Sequence, residues 1–292
     1  MPYPENIYQE LRARAEAGLL LLRELLPAMT PVAQYPAWTR EEQRTLGYIL
    51  SATARASESA VLLVAYVQLW DAEILARSVT EGSLKFAYLL QGQATFKDRH
   101  REYSEDLFRI ALFKDHKKAS DLLATLPNPE APEWKPIRDR LLADKELVDV
   151  AQAHPAPQRR ALETRWGFTG LVSQLAGSND PAFEGFRGFT HGYSNASHIH
   201  HVDYIGALMP MDRDNRSPER RDLALLVHGY RLVSEVVAMF QLRLQVGYRY
   251  VGADPFVLAE IVQKIDRFTA SGDAVCRDWM KVEYPDEVDP GS

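Results

Sequence analysis

The segment SPERRDLALLVHGYRLVSEVVAMFQLRLQVGYRY, residues 217–250, decides the fold class of this chain. Ser217 suits the capping position of a helix, Pro218 suits its first helical position, and Glu219 is an acid near the positive helix end. Apolar residues then recur at helical spacing: Leu223, Leu226, Tyr230, Val233, Val237, Phe240 and Leu244. This pattern predicts one long helix from residue 217 to residue 250.

The rest of the chain has the same helical periodicity, interrupted by proline and glycine. Predicted helices cover about residues 5–26, 40–68, 71–90, 96–126, 135–151, 160–175, 181–201 and 254–281. No alternating strand of useful length is visible in the sequence. We therefore predict an all-α protein, a single helical-bundle domain of about eight or nine helices with antiparallel hairpins. This domain covers residues 1–282 with its core at about 40–250, and the acidic tail 283–292 is predicted to be flexible.

The composition is that of a globular protein. The 292 residues have a net charge of −6 and are 46% hydrophobic. The single cysteine, Cys276, excludes an internal disulfide and any thiolate-rich zinc or iron–sulfur site. The longest apolar run, residues 61–67, is much shorter than the roughly 20 residues that span a bilayer, and no secretory signal is visible. We expect a cytoplasmic protein with no membrane partner.

Charges of alternating sign mark the predicted helix 71–90. Glu73, Arg77, Glu81 and Lys85 recur every fourth residue, so each can pair with its neighbour along one ridge. Most other side chains of this helix are apolar or small, which predicts a buried helix with Arg77 and Glu81 inside or at the edge of a cleft. Two interpretations stay open: a ladder of ion pairs that locks two helices together, and a functional site.

Four of the eight histidines fall within residues 187–203. If this stretch is helical, one face carries Arg187, His191, Ser194, His198 and His201, and Tyr193 lies on the flank that could anchor the helix in the core. Imidazole can move protons at neutral pH while arginine stabilises an anionic oxygen. Alternatively, His198 and His201 could bind zinc or another divalent metal together with Asp203 or Glu81. A surface histidine cluster without function is the third interpretation.

A second polar stripe lies on the long helix. His228, Arg231 and Glu235 share one face at offsets of three and seven residues. A polar stripe on a long helix is usually a solvated face, and we expect that here. The stripe contributes to a site only if it packs towards the histidine-rich helix.

Three short motifs, taken in order, give the chain a family resemblance. They are Arg77-x-x-x-Glu81, the segment Arg165-Trp166-Gly-Phe-Thr-Gly-Leu-Val-Ser-Gln-Leu175, and a Ser-x-x-x-His motif that fits Ser194 with His198 or Ser197 with His201. Over about residues 40–244 the chain resembles a family of uncharacterised all-helical bacterial proteins filed as a domain of unknown function. The layout is distantly similar to that of HEPN-type proteins, many of which are metal-independent ribonucleases that work as dimers in toxin or phage-defence systems.

The resemblance implies a set of catalytic candidates. These are Arg77, Glu81, Arg187, Ser194, Ser197, His198 and His201. By the HEPN analogy, an imidazole would deprotonate a ribose 2′-hydroxyl while Arg187 or Arg77 holds the phosphate. The chain departs from the HEPN pattern, because the usual spacing of four to six residues between arginine and histidine is absent.

Three functions stay open at this point. The first is an HEPN-like metal-independent RNase, with RNA as partner, no cofactor and a homodimer as the expected assembly; the net charge of −6 counts against it. The second is a non-enzymatic helical interaction module whose ion pairs only fix the fold. The third is a metal-dependent hydrolase that uses His198, His201 and a carboxylate with a divalent metal.

Overall fold

The chain is helical throughout the part that the computed structural model describes, residues 3–184 and 186–285, with the backbone alone at 189–192 and 195. No strand occurs within these ranges, which confirms the predicted all-α class. The α-helices are α1 (Glu5–Leu25), α2 (Thr30–Ala33), α3 (Arg40–Ala65), α4 (Leu69–Leu89), α5 (Gln93–Arg101), α6 (Leu107–Leu123), α7 (Lys135–Arg138), α8 (Asp144–Ala153), α9 (Ala156–Trp166), α10 (Phe168–Ala176), α11 (Phe189–His201), α12 (Tyr204–Asp214), α13 (Pro218–Val251), α14 (Pro255–Ala270) and α15 (Asp273–Glu283).

Thirteen of the helices just given have nine residues or more, so the predicted count of eight or nine is not confirmed. The difference arises because several predicted helices are divided. Gly167, in extended backbone conformation, separates α9 from α10. One helix was not predicted at all: after Val202, with a left-handed φ of 49°, ends α11 at the predicted position, α12 follows, and the Asp203 carboxylate caps it by accepting a hydrogen bond from the Gly206 N–H at 3.0 Å.

The long helix α13 lies at the centre of the core. Its bounds, Pro218–Val251, confirm the predicted long helix to within one residue. Gly252 follows it with a φ of 67°, the left-handed conformation that commonly ends a helix. Ser217 occupies the N-cap position but makes no side-chain capping hydrogen bond. Helix α13 packs against α1, α3, α4, α14 and α15, so its faces contribute to both apolar clusters of the core.

Helix α13 is also long and apolar enough, by length and composition, to cross a membrane. Leu232, Val236 and Val237 on this helix are buried against other helices. The core helix of a water-soluble protein has the same character. The structure therefore agrees with a soluble protein, and the cytoplasmic location stays a prediction.

A close approach between α3 and α4 positions the charged helix. A Cβ atom added to Gly82 of α4 would lie 2.2 Å from Cγ2 of Thr53 on α3, so only glycine permits this distance between the two helices. Helix α4 also packs against α13 and α11. Its polar residues consequently lie where other helices meet.

The C-terminal helix α15 ends at Glu283, which belongs to the segment predicted to be a flexible tail. The Glu283 carboxylate accepts hydrogen bonds from Arg216 and Arg220. The rest of that tail lies outside the described residues from position 286 onward, so its predicted flexibility stays a prediction.

Candidate functional site

Glu73 on α4 is a buried carboxylate, 5% exposed, that two side chains of α13 contact. His228 Nε2 donates a hydrogen bond to Glu73 Oε2 at 2.9 Å, and Arg231 Nη2 donates to the same oxygen. Arg231 also donates through Nη1 to Glu235 Oε1 at 2.6 Å. The expectation of a solvated face is wrong for His228, whose side chain is 12% exposed and packs against α4. Arg231 and Glu235 keep 39% and 40% of their side-chain surface exposed, and of these two Arg231 contacts α4.

The two carboxylates that share Arg231 have different proton affinities. Burial alone would raise the pKa of Glu73, but the hydrogen bond from His228 and the charge of Arg231 outweigh it and lower that pKa. Burial raises the pKa of Glu235, and the Arg231 guanidinium opposes this only in part. Paired carboxyl groups whose pKa values move apart can take separate roles. The pKa of Glu73 is thus lowered and that of Glu235 is raised, although both carboxylates contact the same guanidinium.

His228 is held as a neutral imidazole. Burial lowers its pKa, although the hydrogen bond to Glu73 opposes this effect. Since an ionised carboxylate only accepts hydrogen bonds, His228 Nε2 carries the proton that it donates to Glu73. Trp70 packs edge-on against the imidazole, with ring centroids 4.9 Å apart. The ring nitrogen that binds Glu73 is therefore fixed in both tautomer and orientation.

Arg77 and Glu81 of α4 meet Tyr193 of α11. Arg77 Nε donates to Glu81 Oε1 at 3.2 Å, and Arg77 Nη2 donates to the Tyr193 hydroxyl at 2.6 Å. The Tyr193 hydroxyl in turn donates to Glu81 Oε1 at 2.7 Å. Lys85 Nζ lies 3.9 Å from Glu81 Oε2. The predicted ladder is therefore present from Arg77 to Lys85, whereas Glu73 pairs with α13 rather than with Arg77.

Aromatic contacts fix Tyr193 in this position. Its ring stacks on Phe168 of α10 with centroids 3.4 Å apart, and the Arg77 guanidinium carbon lies 4.1 Å from the ring centroid. Burial and the hydrogen bond to Glu81 raise the pKa of Tyr193 to about 12. The phenol stays protonated at neutral pH and acts as a donor to Glu81. The sequence marked Tyr193 only as a core anchor, because nothing in local spacing pairs it with residues more than a hundred positions away.

The Glu73 network and the Arg77–Glu81–Tyr193 group border one cleft of about 120 Å³, which we call the polar cleft. Its lining residues are Glu73, Ala76, Arg77, Thr80, Gly188, Tyr193, Ala196, Glu235 and Met239. Arg77 Nη1 is buried and donates to no acceptor among the described residues. A buried N–H group without an acceptor costs about 1–3 kcal/mol. One donor of a residue that lines the cleft is therefore left unpaired among the described residues.

The predicted histidine candidates on α11 take positions separate from this arginine. His198 is half-buried, and its Nδ1 lies 2.6 Å from Asp203 Oδ2. His201 is exposed, and its ring contacts His200 with centroids 5.0 Å apart. No hydrogen bond among the described side chains joins either histidine to Arg77 or Glu81.

The remaining candidates lie on or just before α11. Ser194 is exposed and Ser197 is half-buried. Arg187 belongs to the short 3₁₀ turn Phe186–Gly188, and the neighbouring Gly188 lines the polar cleft. The side chain of His191 lies outside the described residues. The structure thus assembles Arg77 and Glu81 as predicted and leaves the serine and histidine candidates unassembled with them.

The predicted metal ligands are only partly assembled. His198 and Asp203 are in contact. Across the described ranges, no three His, Cys, Asp or Glu side chains are grouped closely enough to hold a metal ion. A divalent metal at His198, His201 and Asp203 stays a prediction.

The tryptophan motif of the family resemblance contacts Glu102 instead of the cleft. Arg165 Nη2 donates to Glu102 Oε1 at 2.7 Å, and Trp166 Nε1 donates to Glu102 Oε2 at 2.9 Å. Trp166 is buried and packs edge-on against Tyr88 of α4, with centroids 5.0 Å apart. This motif consequently attaches α9 to α4 and to the π-helical turn Glu102–Asp106.

Comparison with known proteins adds nothing to this geometry. No model of a known protein family, no curated protein and no solved structure matches the chain. The family resemblance stays a prediction, and the functional argument rests on the polar cleft itself.

The neutral state of His228 makes stability depend on pH. Because its pKa is lower in the folded protein, the unfolded chain takes up this proton first as the pH falls below about 6.5. The contribution of the neutral His228 to the free energy of unfolding is present above that pH and is lost on acidification. We expect the thermal midpoint to fall more between about pH 7.5 and about pH 5.5 in the wild type than in His228→Gln, whose amide still donates to Glu73. Melts followed by circular dichroism check this, and an equal decrease in both proteins contradicts it.

Proposed function

We propose that this protein is an enzyme that binds the oxyanion group of a small polar substrate, a carboxylate or a phosphate, in the polar cleft. One observation carries the proposal: Arg77 lines the cleft, and its Nη1 is buried without an acceptor among the described residues, while Nε and Nη2 are held by Glu81 and Tyr193. Two of the three guanidinium nitrogens are thus fixed, and the third is left for a ligand.

The chemistry of the guanidinium favours an anionic oxygen at this place. Arginine donors lie in one plane with a fixed geometry that matches carboxylate and phosphate oxygens. The orientation of Arg77 is set before a ligand arrives, because Tyr193 both accepts from Arg77 and packs beneath it. A preoriented donor loses little side-chain entropy on binding. A single oxyanion would gain a charge-assisted hydrogen bond from Nη1 after a small displacement of the surrounding side chains opens this buried atom.

The size of the cleft limits what it holds. Its volume is about 120 Å³, well above the space that a single water molecule requires. One phosphate or carboxylate group fits this space, and the rest of a larger substrate extends outside. The polar cleft therefore recognises the charged group of a substrate, and the remainder of the substrate does not need to fit inside it.

Glu235 is the candidate proton donor and acceptor of the cleft. Its pKa is raised by burial, whereas Glu73, on the other side of Arg231, is kept ionised. A carboxyl group with a raised pKa can protonate or deprotonate a bound molecule closer to neutral pH than an ordinary glutamate. Arg77 would hold the oxyanion, and Glu235 would transfer a proton at a neighbouring atom of the substrate.

Anion titrations test the proposal. We expect phosphate or acetate to bind the wild type in isothermal titration calorimetry at millimolar concentrations, and Arg77→Gln to bind about tenfold more weakly because it loses a charge-assisted hydrogen bond. Arg77→Lys retains the charge without the planar fork and is expected to recover part of the affinity.

The matched control is Arg109→Gln, which removes an arginine on α6 whose side chain is 55% exposed and pairs with Glu105. This variant is expected to bind like the wild type, and circular dichroism verifies that each variant is folded. Unchanged affinity in Arg77→Gln, or no binding of either anion to the wild type, contradicts the proposal.

A second candidate function, RNA cleavage without a metal, is favoured by the contact between His198 and Asp203. A carboxylate at Nδ1 directs the imidazole proton to that nitrogen and leaves Nε2 as a proton acceptor, as a general base requires. The arginines at 213, 216, 220 and 221 each have a carboxylate partner within 4.0 Å. This neutralisation of positive charge argues against a broad RNA-binding surface at these residues. The homodimer that the resemblance implies would belong to this candidate.

Incubation of the purified protein with labelled RNA in EDTA tests the second candidate. We expect cleavage by the wild type and its loss in His198→Ala combined with His201→Ala, because the general base is removed. Asp203→Asn is expected to reduce the rate through the imidazole orientation. If the wild type leaves the RNA intact, or the double variant cleaves it at the wild-type rate, this candidate is rejected while the anion titrations remain independent of the result.

A further inference from the structure

A second pocket, of about 280 Å³, lies among α1, α3 and α13 and shares no lining residue with the polar cleft. Its walls are mainly apolar side chains: Leu19, Leu22, Leu26, Met29, Leu50 and Phe240. Arg243 of α13 also lines it, although this residue is only 2% exposed. The apolar pocket therefore holds one deeply buried cation.

Arg243 has few partners for a buried guanidinium. Its Nη1 donates to the Ser83 hydroxyl on α4, and that hydroxyl donates to the Val79 carbonyl at 2.6 Å. No carboxylate among the described residues lies within 4.0 Å of its guanidinium nitrogens. Burial lowers the pKa of Arg243 to about 10, so the side chain is still cationic at neutral pH.

Another buried arginine of the same fold is compensated differently. Arg14, 5% exposed, donates to the Phe268 carbonyl and to the hydroxyls of Ser234 and Ser271 at 2.7–2.9 Å. Its guanidinium also lies 3.6 Å from the centroid of the Phe268 ring. Arg243 has one such hydrogen bond, and its nearest described ring, Phe240, is 5.6 Å away. Arg14 thus has three polar partners, with only its Nε left without an acceptor among the described residues, whereas Arg243 has a single hydrogen bond and lines a pocket.

We infer that this pocket binds a carboxylate with a short unbranched apolar chain, whose head group pairs with Arg243 while the chain contacts the leucine walls. A buried charge is strongly destabilising unless an opposite charge compensates it, and apolar walls favour the removal of a hydrocarbon chain from water. An inorganic anion would satisfy the charge alone, and an alkane would fill the walls alone. A fatty carboxylate satisfies both.

The entrance supports this orientation of the ligand. Arg23 and Glu58 line it and pair with each other at 2.7 Å, so their charges offset one another. Arg55, the other charged lining residue, is exposed. Because a charge in water is already solvated, the carboxylate gains more from Arg243 than from Arg55.

Calorimetric titration with octanoate tests the inference, with octan-1-ol and acetate as the comparison ligands. We expect octanoate to bind the wild type, octan-1-ol to bind at least about tenfold more weakly for lack of charge, and acetate to bind this pocket more weakly still for lack of a chain. Anionic vesicles of phosphatidylglycerol are expected not to bind, since Arg243 is not accessible to a flat surface.

Two pairs of variants separate the ligand site from a structural role. Arg243→Met is expected to melt no lower than the wild type, because it replaces a buried charge by an apolar side chain of similar length. The same variant is expected to lose octanoate binding, whereas the control Arg55→Gln is expected to retain it. Ala54→Phe fills the pocket with Arg243 intact and is expected to abolish binding, whereas Ala52→Phe, on the exposed face of the same helix, does not.

The inference is overturned if octanoate fails to bind the wild type, if octanoate and octan-1-ol bind equally well, or if Arg243→Met binds octanoate like the wild type. It is also overturned if the vesicles bind while octanoate does not. Because the pocket and the variants differ from those of the polar cleft, and octanoate binding is compared in variants that leave Arg77 intact, failure here leaves the proposed function untouched, and the reverse also holds.

Discussion

The buried carboxylate of Glu73 is the constraint on which the central helices depend. It lies on a helix whose other side chains are mostly apolar, and it is ionised because His228 and Arg231 of α13 donate to it. Because a buried carboxylate without partners is strongly destabilising, α4 and α13 are held in the register that keeps these three side chains together. Arg231 can then reach Glu235, and the polar cleft opens beside this network.

The polar cleft follows from that register together with the position of α11. Once α4 is fixed, Arg77 and Glu81 face Tyr193, and Phe168 of α10 supports the tyrosine ring. Among the residues that line the cleft, Arg77 has one buried nitrogen, Nη1, without an acceptor in the described part of the chain, and burial raises the pKa of Glu235. The ion pairs therefore stabilise the fold and, at the same place, leave one donor and one protonatable acid, so a structural ladder and a functional site are compatible here.

Local features of the fold could be predicted from the sequence, and long-range pairings could not. Periodicity and the Pro218 signal located α13, and the four-residue spacing of charges identified α4, because both depend on neighbours along one helix. The contact of Glu73 with His228 joins residues 155 positions apart, so local spacing gives no sign that His228 is buried. Asp203 is an N-cap residue type directly before α12, and its carboxylate caps that helix in addition to its contact with His198. Tyr193 carried no signal that distinguished it from a core aromatic residue.

The most direct test is a carboxyl titration by NMR on protein with ¹³C-labelled glutamate side chains, with Glu73→Gln and Glu235→Gln used to assign the two signals. The account requires the two carboxylates that share Arg231 to differ, with Glu73 titrating below the ordinary value of about 4.3 for glutamate and Glu235 above it. It also requires the Glu235 signal to move when phosphate or acetate is added. Titration of both groups at the ordinary value, or a Glu235 signal that neither anion changes, would contradict the claim that this network forms an anion-binding acid–base site.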